Sequence, residues 1–303
     1  MRPVPRAAAV ALVVALAASG CGGARARHAQ SPASAPATPT SPPTSPPTSP
    51  PTSSAASPAA SLPAKGLASL PATAAVRFGT VPAGRPLPTG AQCAAWVRAR
   101  PYPESKGGNR RANATSGQPI GSTFFTGDDP RAETVIRPRV DGRFTGTTRE
   151  ILRWAACKWG ADEDLVLAQA AVESWWRQDT LGDWTADPTR CAPGRGPGVD
   201  GRPGQCPESF GVLQNRYPYE KPAWPAMAAS TAFNADLAYA VWRVCFEGYE
   251  SWLGPGYTAG DAWGCVGRWF SGRWHTADGD GYVAKVRDYL NQRIWDTPAF
   301  QQP

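Results

Sequence analysis

A run of Pro, Ser, Thr and Ala from Ser31 to about Ser61, with Ser-Pro-Pro-Thr units repeated between Thr40 and Thr52, limits where this chain can fold. Such a stretch has almost nothing apolar to bury and many residues that cannot donate a backbone hydrogen bond. It reads as an extended, partly polyproline-like tether. The core of the 303-residue chain must come from the residues C-terminal to it. Twelve of the 13 Trp lie at or after Trp154, which places that core in the C-terminal half.

Ahead of the tether, Arg2 and Arg6 precede an apolar run from Ala7 to Ala18, which closes on Ser19-Gly20-Cys21. A charged start, a short apolar stretch and small residues before a cleavage point make an export signal over 1–20. The run is too short for a stable membrane span. Cys21 after the small residues resembles a bacterial lipobox, in which that Cys is acylated, although Ala18 stands where Leu is usual. The expected organisation is a signal peptide (1–20), a disordered tether (21–75), a basic Gly/Pro/Arg-rich extension (76–147) and a folded domain (148–298). The expected location is the cell envelope, lipid-anchored to the outer face of a membrane.

The net charge of +7 is unevenly spread. From Arg149 onward there are 15 Lys and Arg against 19 Asp and Glu, so the excess is all at the front. No nucleic-acid reader motif accompanies the basic part, so no nucleic acid is expected as partner. The segment 76–148 lacks sustained periodicity beyond short turns around Gln92–Val97, and no fold is assigned to it.

Six cysteines remain after Cys21, an even number that suggests disulfides in an exported chain. Cys191 and Cys206 bracket a Gly/Pro loop with little to order it, and Cys245 and Cys265 bracket a second Gly-rich stretch. Six cysteines allow 15 connectivities and the sequence does not fix one, but with those two pairs Cys93–Cys157 is the third by elimination, pinning the basic extension to the core. A metal site is not expected, because the only His are His28 and His275 and no Cys are closely paired. No cofactor is expected.

From Thr147 helices dominate. A helix from Thr147/Thr148 to Trp159 closes at Gly160, and Asp162, Glu163 and Asp164 form an acidic first turn for the next. The residues Leu165 to Val172 are apolar nearly all round, so this helix is expected to be the buried central one. Glu173 comes at its far end, on the face of Val166, Gln169, Ala170 and Trp176/Arg177. Burial disfavours the charged form of a carboxyl, and a carboxylic acid that keeps its proton is what a general acid needs. A structural ion pair with Arg177 is the plainer alternative.

The sequence Ala171-Val172-Glu173-Ser174-Trp175-Trp176, followed by Ser209-Phe210-Gly211-Val212-Leu213-Gln214, resembles the lysozyme-like lytic transglycosylases and goose-type lysozymes. Asn234, on a helix expected over Ser230–Val244, and Tyr282-Val283 with Val286 extend the likeness, which covers Ile151 to Ile294. Where that family carries Tyr-Asn-Ala-Gly, this chain has Trp269-Phe270-Ser271-Gly272. The resemblance implies a mainly α, lysozyme-like domain with a minor hairpin lobe and a substrate groove. It implies Glu173 as sole catalytic acid/base, with Ser209, Gly211, Gln214, Asn234, Trp269 and Tyr282 on the substrate and Tyr282 near the Glu. Peptidoglycan is the implied partner.

Other residues fit such a groove. Trp175, Trp176, Trp184, Trp269 and Trp274 could stack on sugar rings as a group, although core packing explains any one of them. The Gly-rich segment from Thr180 to Pro207 reads as a lid or an insert, and its Asp183 and Asp187 are candidates for positioning a water. The expected activity is glycan cleavage giving a 1,6-anhydro sugar. The alternatives are hydrolysis of the same bond and a lipoprotein that binds cell wall without cleaving it.

Overall fold

Helix ends in this protein are set by side chains that the sequence displays openly. A computed structural model describes residues 77–302, and the expected signal, Cys21 and the tether lie outside them. The main elements are α1 (Gly90–Arg98), α2 (Thr148–Trp159), α3 (Glu163–Ser174), β1 (Leu181–Thr185), β2 (Cys206–Phe210), β3 (Asn215–Arg216), α4 (Thr231–Phe246), α5 (Ala262–Ser271) and α6 (Ala277–Gln292). The described chain is mainly α, with one small sheet.

Thr147 caps α2 in a reciprocal box with Glu150, and Gly160 ends it in the left-handed conformation that glycine adopts without steric cost. Asp162 caps α3 through the amides of Asp164 and Leu165. The far end of α3 is less ordinary. Trp175 and Trp176 both take positive φ, 58° and 61°, at a cost of about 1 kcal/mol or more each for a residue with a Cβ. Packing holds them there. Trp176 is fully buried and donates its indole N–H to Leu167 O at 2.9 Å, folding back under its own helix.

The helix buried along its whole length is α4, all 16 of whose residues are buried, whereas α3, expected as the buried central one, leaves Asp164, Val172 and Glu173 partly exposed. It packs against α2 and α5, while α3 packs against α2 and α6. Two charged residues on α4 would be costly in that position without partners. Asp236 accepts from Lys158 Nζ at 2.7 Å, from Trp159 Nε1 and from the amides of Asp141 and Gly142. Arg243 donates to the carbonyls of Val81 and Pro82 and pairs with Glu247.

Those contacts place the basic segment in the same packed unit as the helices, rather than beside it as an extension. Gly142 is pressed against Phe233 of α4, where a Cβ would come within 2.7 Å of the Phe233 backbone. The amides of Phe78 and Glu163 exchange bonds with each other's segment. The Cys93–Cys157 disulfide ties α1 to α2. The other two expected pairs, Cys191–Cys206 and Cys245–Cys265, are also present.

The segment from Thr180 to Pro207 contributes strands to a three-stranded antiparallel sheet in the order β1-β2-β3. Leu181 opposes Phe210 and Thr185 opposes Cys206. Glu208, buried on β2, bridges Arg190 and Arg216 and so clips the hairpin's loop to its strands.

Candidate active site

Glu173 occupies the last turn of α3 and is half-buried. The C-terminal end of a helix is an unfavourable place for a negative charge. Two donors from other helices offset this. Trp269 Nε1 on α5 donates to Glu173 Oε1 at 2.8 Å, and Tyr282 Oη on α6 donates to the same oxygen at 2.5 Å. Both donors are buried, and the Tyr282 ring is stacked on Phe270 at 4.8 Å. Tyr282 keeps its proton. Burial, and then the negative charge of Glu173, push its phenol well above the ordinary range.

One residue further on, Ser174 Oγ donates to Val212 O at 2.9 Å, so the end of α3 holds the Gly211–Gln214 turn directly. Asn234 holds the turn from below. Its Oδ1 accepts from Leu213 N at 2.9 Å, and its Nδ2 donates to the carbonyls of Phe210 and Met227, each at 2.8 Å. Gln178 completes the clasp by accepting from Val212 N and donating to Met227 O and Ala228 O. Gly211 has φ 83°, and a Cβ there would lie 2.3 Å from Asn234 Nδ2. Gln214, also at positive φ, turns its Nε2 back to Gly211 O and Thr180 O.

The expected site residues therefore divide into groups. Glu173, Trp269 and Tyr282 meet at one carboxylate oxygen. Ser209, Gly211 and Asn234 are buried; the Asn234 amide, 0% exposed, holds backbone, while Ser209 Oγ donates to the Asp183 carboxyl. Trp269, expected as a groove contact, is 2% exposed and serves instead as a donor to Glu173. Trp176 is core. Trp175, Trp184 and Trp274 retain partial exposure, with Trp175 against Phe300 and Tyr289, Trp184 beneath Arg202, and Trp274 beside Tyr257 and His275.

The two loop carboxylates also separate. Asp187 caps the turn Pro188–Arg190, accepting from Thr189 N and Oγ1, and those bonds hold its carboxyl below the usual range. Asp183 sits on β1 with φ 50°, accepts from Ser209 Oγ and lies 3.6 Å from Arg216 Nε. Arg177 donates its Nε to Ser174 O.

Two contributors carry no mark in the sequence. Gln178 is one, and Asn109 is the other. Asn109 Nδ2 donates to Trp176 O at 2.6 Å and its Oδ1 accepts from Gln178 N at 2.8 Å, locking the reversal after α3. Those two partners are more than sixty residues away, and its bond to Thr148 Oγ1 spans 39, so no local pattern points to it. No protein-family model matches this chain, and no curated protein or solved structure does either.

Proposed function

We propose that this protein cleaves the glycan strands of peptidoglycan as a lytic transglycosylase, with Glu173 as the acid/base of a lysozyme-like domain. The observation that carries the reading is the convergence of Tyr282 and Trp269 on one oxygen of a half-buried carboxyl at a helix end. Two donors on Oε1 leave Oε2 to carry any proton the group holds. They also fix the plane of the carboxyl, which a proton transfer to a glycosidic oxygen requires. The Glu-Ser pair adds support, because Ser174 joins the acid's helix to the Gly211–Gln214 turn.

In this mechanism Glu173 protonates the bridging oxygen as an oxocarbenium-like centre develops at the sugar carbon. The carboxylate so formed then takes the proton of the sugar's own 6-hydroxyl. That oxygen closes on the anomeric carbon, and no water is consumed. The two donors on Oε1 stabilise the carboxylate between these steps.

Asp183 favours one second reading, hydrolysis with Asp183 holding the attacking water, because its strained backbone and its bond from Ser209 fix it in place. Asp187 has less claim, since it is engaged in its own turn. Export and anchoring through Cys21 belong to the same proposal and put the domain beside its polymer. The direct test is the release of soluble glycan from purified peptidoglycan. Glu173→Gln keeps the shape but cannot transfer the proton, and is expected to lose about 10²–10⁴-fold in rate. Release by that variant at the parental rate would defeat the proposal.

A further inference from the structure

The arginines of the basic segment ahead of α2 play no part at Glu173. Its exposed cations are all arginine, since the one Lys between 77 and 148, Lys106, is buried. Three of them gather along the stretch Arg143–Thr147. Arg143 and Thr145 are exposed, while Phe144 between them is buried and stacked on Trp154 at 5.4 Å. The Arg98 guanidinium lies over the Phe144 ring at 5.3 Å. Arg110, with Glu104, Asn113 and Thr145–Thr147, lines a cleft of about 280 Å³. Arg98, Arg110 and Arg143 are all exposed, and among the described residues none of them is in an ion pair.

The acids of this region are already engaged. Glu104 accepts from the amides of Lys106 and Thr148, from Thr148 Oγ1 and from Asn113 Nδ2. Glu150 accepts from the amides of Tyr102 and Thr147, and Asp141 from Lys158 Nζ and the Arg143 amide. Glu104 and Glu150 thus fill the start of α2, and the guanidinium groups are what remains for an anion. The cleft also has an unfilled acceptor. Asn113 is 4% exposed and its Oδ1 has no hydrogen-bond partner, which is costly for a buried carbonyl.

These groups call for a ligand with two chemistries. Guanidinium forks match phosphate oxygens. Asn113 Oδ1 and the exposed Thr145 hydroxyl call for O–H groups. Single-stranded nucleic acid needs exposed aromatic platforms, and here Phe144 is buried and Tyr102 lies under Arg100 and Arg149. A bilayer needs apolar side chains to enter it; the large hydrophobic residues exposed among those described are Val135 and Val199, neither of them on this stretch. None of the residues invoked falls within the part of the chain that resembles the transglycosylases.

We propose that Arg98, Arg110 and Arg143, with the cleft at Asn113 and Thr145, bind an envelope polymer whose polyol units are joined by phosphodiesters, and so hold the domain on the wall independently of Glu173. The choice of an envelope polymer rests on the export expected from residues 1–20. The probe is poly(glycerol phosphate), titrated by calorimetry into the full chain carrying Cys21→Ser, so that no acyl group takes part. Arg110→Gln and Arg143→Gln are each expected to weaken binding about tenfold, the loss of one charge-assisted contact. Arg85→Gln removes an exposed charge near the other end of α2, where Val81 N meets Gly160 O, and should change binding by less than about twofold. Polyphosphate of equal charge has no hydroxyl and should bind about tenfold more weakly than the probe. Equal weakening by Arg85→Gln, equal binding of polyphosphate, or no binding of the probe would overturn the proposal. So would tighter binding of single-stranded DNA or of phosphatidylglycerol vesicles, which would make the patch a nucleic-acid or lipid contact. Binding is read without cleavage, so its failure is separate from any failure of Glu173 as the acid.

Discussion

Replacing Gly211 by Ala should be far more damaging than the same change at another glycine of similar backbone. Gly211 (φ 83°) and Gly194 (φ 77°) both occupy the left-handed region, so both variants incur the conformational term of about 1–2 kcal/mol. At Gly194 nothing lies within 4 Å of the added Cβ. At Gly211 the Cβ falls 2.3 Å from Asn234 Nδ2 and 2.8 Å from Gln178 Nε2, so both amides must move. Displacing Asn234 breaks its bonds to Phe210 O and Met227 O and leaves buried groups unsatisfied, at about 1–3 kcal/mol. Gly211→Ala is therefore expected to cost about 2–5 kcal/mol and Gly194→Ala about 1–2 kcal/mol. Urea unfolding of the disulfide-intact proteins, fitted with a common slope, measures the difference. Equal losses at the two sites would refute the claim that the Gly211 turn is clasped from beneath.

Other outcomes are open to equally direct measurement. Opening the Cys93–Cys157 link by a double Cys→Ala change removes a 64-residue closure and should cost about 4 kcal/mol in the loop-entropy account; peptide mapping without reductant should recover all three pairs. Glu208→Gln leaves Arg190 and Arg216 without their shared carboxylate and should cost about 3 kcal/mol by thermal unfolding. Burial pushes the Glu208 carboxyl up, but the two arginines outweigh it and hold the group below its ordinary value of 4.5. Its contribution is thus complete above that pH and lost as pH falls through the lowered value, so the wild-type stability curve should fall more steeply in acid than that of Glu208→Gln. Cys21→Ser should abolish fractionation with membranes, and a variant still processed and membrane-bound would contradict lipid anchoring.

Much of the helical part was legible because its signals are local. Thr147 with Glu150, Gly160 and Asp162 each mark a boundary through their own backbone geometry. Of the cysteine pairs, Cys191–Cys206 was legible from the lack of apolar residues in the loop it closes and Cys245–Cys265 from a Gly-rich stretch, while Cys93–Cys157 followed only by elimination. Thr89 and Gln92 form a capping box for α1 that the sequence also displays, although only turns were expected there. The rest of residues 78–147 was opaque for a physical reason. Its backbone groups are satisfied by side chains of distant helices, such as Asp236, Glu163 and Arg243, so no periodicity records its structure.

At the site, Glu173 and Tyr282 were legible from the motif, and the resemblance also implied that Tyr282 lies near Glu173; the bond to Oε1 is what the structure adds. The same position in a motif can serve a different atom. Trp269 stood where a groove contact was expected, yet its indole turns inward to the acid. Asn234 and Ser209 were expected on a ligand and instead hold backbone or a neighbouring carboxylate.

The central claim is that Glu173 transfers the proton and no water enters. Mass spectrometry of the fragments released from purified peptidoglycan by wild type, Glu173→Gln, Asp183→Asn and Asp187→Asn tests it most directly. 1,6-Anhydro-muramyl ends are expected from the wild type and from both Asp variants, and almost no product from Glu173→Gln. Reducing ends without the anhydro ring, lost in Asp183→Asn, would contradict that claim and identify a hydrolase.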